Sequence, residues 1–77
     1  MPSGTAEEVG AREIVGQIAA AVAKLPEDQR TALVLCEYQG MSYAEIAEVM
    51  RCSQKSVESR LYRAKQTLRE SLRHLLD

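Results

Sequence analysis

The sequence predicts a small all-helical domain of four helices, with the last two joined as a helix-turn-helix. Three observations carry this. Ala, Leu, Glu, Arg and Gln dominate the 77 residues, while aromatics are 4% and both Phe and Trp are absent. That composition favours helix and disfavours a β-sandwich or barrel, which wants aromatic and β-branched filling. From about Val9 onward, apolar residues recur at spacings of three and four, the period of a helix with one buried face. Past the middle, a short helical run is followed by a three-residue break, a fresh cap and a longer basic run. An apolar content of 45% and a charged content of 27% are ordinary for a globular chain. At this length there is room for one domain, and none for a multidomain enzyme with a large substrate cavity.

The elements follow in order. Residues 1–8 (MPSGTAEE) are small and polar and read as a disordered end or linker remnant; residues 9–77 read as the domain. Ile14, Ile18, Ala21, Val22 and Leu25 give the first helix its apolar stripe. Pro26 stops that helix and is expected at the first position of the next, where its missing N–H is harmless. Glu27 and Asp28 then place negative charge at the positive end of the helix dipole. Ala32, Leu33, Leu35 and Cys36 form the buried face of this second helix, which is expected to reach Gln39 before a left-handed Gly40.

Ser42-Tyr43-Ala44-Glu45 is a capping box, with Met41 and Ile46 as its hydrophobic staple. It opens a third helix over Tyr43–Met50, with Tyr43, Ile46, Ala47 and Met50 on one face. Arg51-Cys52-Ser53 breaks the pattern, and Ser53 is a good cap for a last helix expected to run from Gln54 to Leu76. Val57, Leu61, Ala64, Leu68, Leu72 and Leu75 form its inward stripe. The part beyond the helix-turn-helix, Leu68 to Leu75, is expected to pack on the first helix or on a partner.

Net charge is −1, but it is unevenly spread. Residues 1–50 hold three bases against eight acids, a balance of −5; residues 51–77 hold seven bases against three acids, a balance of +4. A basic end on an acidic body suggests one face for a polyanion and another for a different partner. Cys36 and Cys52 are too few for a disulfide framework, and the lone His74 cannot complete a zinc pattern. They read as reduced thiols filling small core spaces. No apolar run approaches the ~20 residues of a membrane span, and residues 1–10 lack the basic start and apolar stretch of a signal peptide. The expected location is therefore the cytoplasm.

In a helix-turn-helix the second helix lies in the major groove, and its early residues reach base edges. With Val57, Leu61, Ala64 and Leu68 inward, the outward face holds Lys55, Glu58, Ser59, Tyr62, Arg63 and Gln66. Arg63 can grip guanine bidentately, Lys55 suits phosphate or guanine, and Ser59 bonds either base or phosphate. Tyr62 can touch a thymine methyl, and Lys65 adds a further base for phosphate. Arg60 lies between the faces, so a phosphate contact and an intramolecular pair with Glu45 or Glu48 are both open. Any amphipathic surface helix shows a similar wheel; the doubly capped unit before this one weighs against that plainer reading. One His at a helix end, no Gly-rich phosphate loop and no metal spacing leave no enzyme, cofactor or small-molecule substrate to propose.

LPEDQR (Leu25–Arg30), LVLCEYQGMSYAEIAEVM (Leu33–Met50) and CSQKSVESRLYRAKQTLRE (Cys52–Glu70) together resemble the C-terminal promoter-recognition domain, region 4, of bacterial sigma-70 family factors. The similarity is greatest to the extracytoplasmic-function group. The resemblance implies a four-helix, winged-helix-like DNA-binding domain whose last helix reads the minus-thirty-five promoter element in transcription initiation. It also implies docking on the β-flap of the RNA polymerase core, and often capture by an anti-sigma factor. By position, the family's DNA contacts fall on Glu58, Ser59, Tyr62 and Arg63. The chain departs from the pattern at Glu58, where a basic or polar residue is more usual, and at Arg51, where Gly is common. A whole sigma factor also carries a promoter-melting domain, for which there is no room before Val9, so a fragment or a stand-alone domain is expected. Two rivals stand beside this reading. A response-regulator output domain is opposed by Leu25–Arg30 and the Ser59–Ala64 run. A sigma-like decoy that binds protein is favoured by Glu58 and opposed by Lys55, Arg60, Arg63 and Lys65.

Overall fold

A computed structural model describes residues 6–76. The elements are α1 (Ala6–Ala23), α2 (Glu27–Leu33) running into a π-helical turn (Val34–Tyr38), α3 (Tyr43–Met50), α4 (Gln54–Ser71) and a short α5 (Arg73–Leu76). Among the described residues there is no strand, so the helix-turn-helix carries no wing there. No helix among them is long and apolar enough to cross a membrane.

The first helix begins three residues earlier than its apolar stripe suggests, since Ala and Glu at positions 6–8 have high helix propensity. Residues 1–5 of the expected disordered end lie outside the described residues. At the other end of α1, Lys24 and Leu25 N–H bond to Ala21 and Val22 carbonyls at 3.2 and 3.1 Å, tightening the last turn. Pro26 is the cap of α2 rather than its first residue. Its ψ of 148° is extended, and its carbonyl accepts the first helical bond from Arg30 N–H at 2.9 Å.

Helix α2 does not continue as an α-helix to Gln39. From Val34 to Tyr38 the turn widens, and Gln39 N–H bonds to the Val34 carbonyl, five residues back, at 3.2 Å. Gly40 takes the left-handed conformation, φ 66°, as its position predicts. The closing bond from Met41 N–H reaches Leu35 at 3.1 Å, one residue farther back than a six-residue helix closure spans. The widened turn leaves Leu35 and Cys36 half-buried, where the periodicity placed them inside.

The core is Leu25, Ala32, Leu33, Ile46, Ala47, Val57, Leu61 and Ala64. Burying Ile46, Val57 and Leu61 contributes roughly 1.5–3 kcal/mol each. Val22, Leu35, Cys36, Met41, Met50, Cys52 and Leu68 pack around it. Both thiols are free and half-buried. Helix α1 joins this core only through Val22 and the following Leu25. Ile14 and Ile18, expected on its buried face, are 45% and 38% exposed. The helix stands away from the α2–α3–α4 unit and meets α4 near its C-terminal end, giving extents of 46 × 27 × 17 Å.

The last helix is not continuous to Leu76. It ends at Ser71, Leu72 turns out of helical geometry (φ −108°, ψ 17°), and α5 follows. No Pro or Gly forces the break. It brings His74 Nε2 to 2.7 Å from Gln17 Oε1, tying the chain end to α1. Leu72 lines a shallow cleft of about 230 Å³ with Gln17, Ala20 and Ala21. Of the stripe Leu68, Leu72 and Leu75, Leu68 thus packs on the core and Leu72 reaches the cleft beside the first helix.

The capping box of α3 is complete. Glu45 N–H donates to Ser42 Oγ at 3.1 Å, and Ser42 N–H donates to Glu45 Oε1 at 2.8 Å. The Ser42 backbone N–H, then its side chain, hold the Glu45 carboxyl below its ordinary value of 4.5. Ser42→Ala should destabilise the domain by about 1 kcal/mol in urea unfolding. Because the folded-state value of Glu45 is depressed, its contribution is present above pH 4.5 and is lost as pH falls through the folded value. The gap in melting temperature between the wild type and Glu45→Gln should therefore close on acidification below about pH 4.5. A gap independent of pH would contradict this.

Candidate nucleic-acid interface

The turn between α3 and α4 is fixed from both sides. Cys52 N–H bonds back to the Ala47 carbonyl at 3.0 Å, and Arg51 N–H to that of Glu48 at 3.3 Å. This is the paired closure of a Schellman motif. Its left-handed position is held by Arg51, φ 56°, ψ 50°, where Gly would be unstrained. Ser53 then caps α4: Ser56 N–H donates to Ser53 Oγ at 3.0 Å. Ala47 and Val57, ten residues apart, are both buried where the helices approach, as the sequence requires.

The buried stripe of Val57, Leu61 and Ala64 turns the opposite face of α4 outward. Lys55, Glu58, Ser59, Tyr62, Arg63 and Gln66 are all exposed along it. Tyr62 is 63% exposed, and its hydroxyl accepts from Gln66 Nε2 at 3.0 Å. Arg63 stands at one edge, above a shallow hollow of about 240 Å³ shared with Gln29, Gln66 and Glu70. Glu58 makes no ion pair or side-chain hydrogen bond among the described residues, so the local pairing open to it with Lys55 or Tyr62 is not formed.

Lys65 and Arg60, two further sequence-predicted site residues, stand on the flanks of this face. Lys65 Nζ lies 3.7 Å from Glu37 Oε1 on the π-helical turn, at the side of α4 rather than its outward face. Arg60 pairs with neither Glu45 nor Glu48. Its Nε lies 3.6 Å from Asp28 Oδ2, and its Nη1 lies 3.5 Å from Cys52 Sγ and 3.9 Å from Met50 Sδ. Helix α2 packs along α4 and brings its first turn within reach of this flank. In the sequence, Asp28 was legible only as a helix-dipole charge. No group of three metal-ligating side chains occurs among the described residues.

The model of the family described as Sigma-70, region 4 matches residues 16–68, which include all of α2, α3 and the first fifteen residues of α4. The chain belongs to the sigma-70 region 4 family. It is 44% identical over 64 residues to an RNA polymerase sigma-H factor of Pseudomonas aeruginosa, covering 83% of this chain and 33% of that protein. It is 42% identical over 52 residues to an ECF RNA polymerase sigma-E factor of Haemophilus influenzae, covering 68% and 28%. To the ECF RNA polymerase sigma-E factor of Escherichia coli it is 40% identical over 55 residues, covering 71% and 29%. The chain thus spans about a third of the length of the curated relatives it matches. Within region 4, the matched span holds all of α3, the turn and α4 as far as Leu68.

The strained position in that turn is testable. A non-Gly residue in the left-handed region costs roughly 1–2 kcal/mol, while Gly adds ~0.4–1 kcal/mol of unfolded-state entropy. Arg51→Gly should therefore raise stability by about 0.5–1 kcal/mol. The midpoint of urea unfolding should rise with an unchanged slope; a lower midpoint would contradict the assignment.

Proposed function

We propose that this chain binds promoter DNA at the minus-thirty-five element, as the C-terminal domain of an RNA polymerase sigma factor in transcription initiation. It has no catalytic role. The observation that carries the reading is the exposed row Lys55, Ser59, Tyr62 and Arg63 on α4, set behind a turn closed by backbone bonds and a serine cap. In this role α4 enters the major groove, Arg63 grips guanine, and Tyr62 meets a thymine methyl or sugar edge. Ser59 and Lys55 bond base or phosphate. The RNA polymerase core, through its β-flap, is the protein partner that delivers the domain to the promoter. An anti-sigma factor competes for it, and the setting is the cytoplasm. The family membership and the relatives named as RNA polymerase sigma factors support this reading.

Glu58 lies beside the reading row, where its carboxylate passes the phosphate backbone first. It acts as a brake on non-specific binding. Glu58→Gln should tighten binding to every duplex by a similar factor at fixed salt. Affinities for a duplex selected on the wild type and for its scrambled form check this. If the mutant loses affinity for the selected duplex alone, Glu58 accepts from cytosine N4 instead.

Lys55, Arg63 and Arg69 are exposed, and Lys65 can exchange Glu37 for a phosphate. Release of three to four counterions gives a log–log slope of affinity against salt of about −3 to −4. The test is selection of a randomised duplex library on the full chain, then anisotropy titrations of the enriched sequence at several salt concentrations. No enriched sequence, or binding that ignores salt, would remove the reading.

A further inference from the structure

Arg60 differs from the other bases of α4. Its side chain is 26% exposed, against 51% for Lys65, while Lys55, Arg63 and Arg69 all face solvent. Its guanidinium is the meeting point of three elements. Asp28 comes from the first turn of α2, Met50 is the last residue of α3, and Cys52 lies in the turn. Asp28 is itself oriented, since its Oδ1 accepts Gln29 N–H at 2.9 Å while Oδ2 faces Arg60. A planar fork can meet partners on two sides at once; a point charge on a flexible stem cannot.

We propose that Arg60 is a positioning residue for promoter recognition. It fixes the roll of α4 on α2 and α3 and contacts no phosphate itself. The role rests on the promoter-binding reading above. Apolar burial of Val57, Leu61 and Ala64 is non-directional, so it holds α4 against the core but resists rotation about the helix axis only weakly. A planar guanidinium held at once by Asp28, Met50 and Cys52, from three different elements, does resist rotation. Arg60 supplies that resistance at the level of the row it serves: it is adjacent to Ser59 and two and three residues from Tyr62 and Arg63. Recognition sites need their side chains held within roughly 10–20°, so loss of this brace blurs base choice before it abolishes binding. Reaching a phosphate would require Arg60 to leave Asp28 and uncover the turn.

The experiment compares the wild type, Arg60→Lys, Arg60→Gln, Asp28→Asn and the Arg60→Gln/Asp28→Asn double variant. Each full chain is titrated with the duplex selected on the wild type and with its scrambled form, across a salt series, alongside thermal unfolding. Arg60→Lys keeps the charge and should lower the selected-to-scrambled affinity ratio by roughly fivefold, the low end of what one base contact supplies. Asp28→Asn, which leaves every α4 side chain intact, should lower it in the same direction. The double variant should fall no further than Arg60→Gln alone. The salt slope should stay at its wild-type value throughout. A slope shallower by about one in Arg60→Gln, with the ratio intact, makes Arg60 a phosphate contact and overturns the proposal. So does a lowered melting temperature with an unchanged ratio, which makes Arg60 structural only. A wild type that enriches no duplex removes the promoter reading and this role with it.

Discussion

The outward face of this domain takes its direction from the way α4 is seated. Val57, Leu61 and Ala64 are essentially removed from water against Leu33, Ile46 and Ala47. One helix supplies both a wall of the core and the exposed row, so the inward stripe decides which side chains point away. Three of the eight core residues are Ala, which lets the helix axes come close. A larger residue at Ala47 would lever α4 outward and carry Ser59, Tyr62 and Arg63 with it. After conformational entropy is subtracted, a core this small leaves a net of only about 3–5 kcal/mol, so caps of ~1 kcal/mol weigh heavily in the balance.

The caps are also what made the fold legible. Ser42 and Glu45 sit three residues apart and bond to each other's backbone, so their meaning needs no knowledge of the rest of the chain. The same holds for Ser53, for Gly40 and for the pairing of Ala47 with Val57. The exposure of Lys55, Glu58, Ser59, Tyr62 and Arg63 follows from the helix wheel alone. What escaped depends on distant partners. His74 and Gln17 are 57 residues apart, and their contact accompanies the break at Leu72. Asp28 meets Arg60 across 32 residues, and Glu37 meets Lys65 across 28. The widened turn at Val34–Tyr38 has no compositional mark, because the same residues can bond four or five positions back. The stripe on α1 shows a different limit. Ile14 and Ile18 have the spacing of a buried face, and spacing does not reveal whether anything lies opposite.

On the promoter-binding reading, two residues of the α3–turn–α4 unit work against its task. Arg51 holds a backbone position that Gly occupies without strain, and Glu58 sets a carboxylate beside a row otherwise suited to a polyanion. Each works against one of the two requirements of the unit, a well-made turn and an attractive surface. The Schellman closure, the Ser53 cap and the Arg60 contacts with Asp28, Met50 and Cys52 hold the turn in spite of Arg51.

The two ion pairs also mark a seam. Asp28 and Glu37 belong to the acidic body, Arg60 and Lys65 to the basic helix, and the pairs join the two regions on either flank of α4. Residues 1–50 balance at −5 and residues 51–77 at +4, so a net charge of −1 conceals two opposed stretches of chain. On the promoter-binding reading, a duplex therefore exerts little net pull on the chain from afar. Over the last ~8 Å that salt leaves unscreened, the bases felt first on that reading are the exposed ones of α4, Lys55, Arg63 and Arg69.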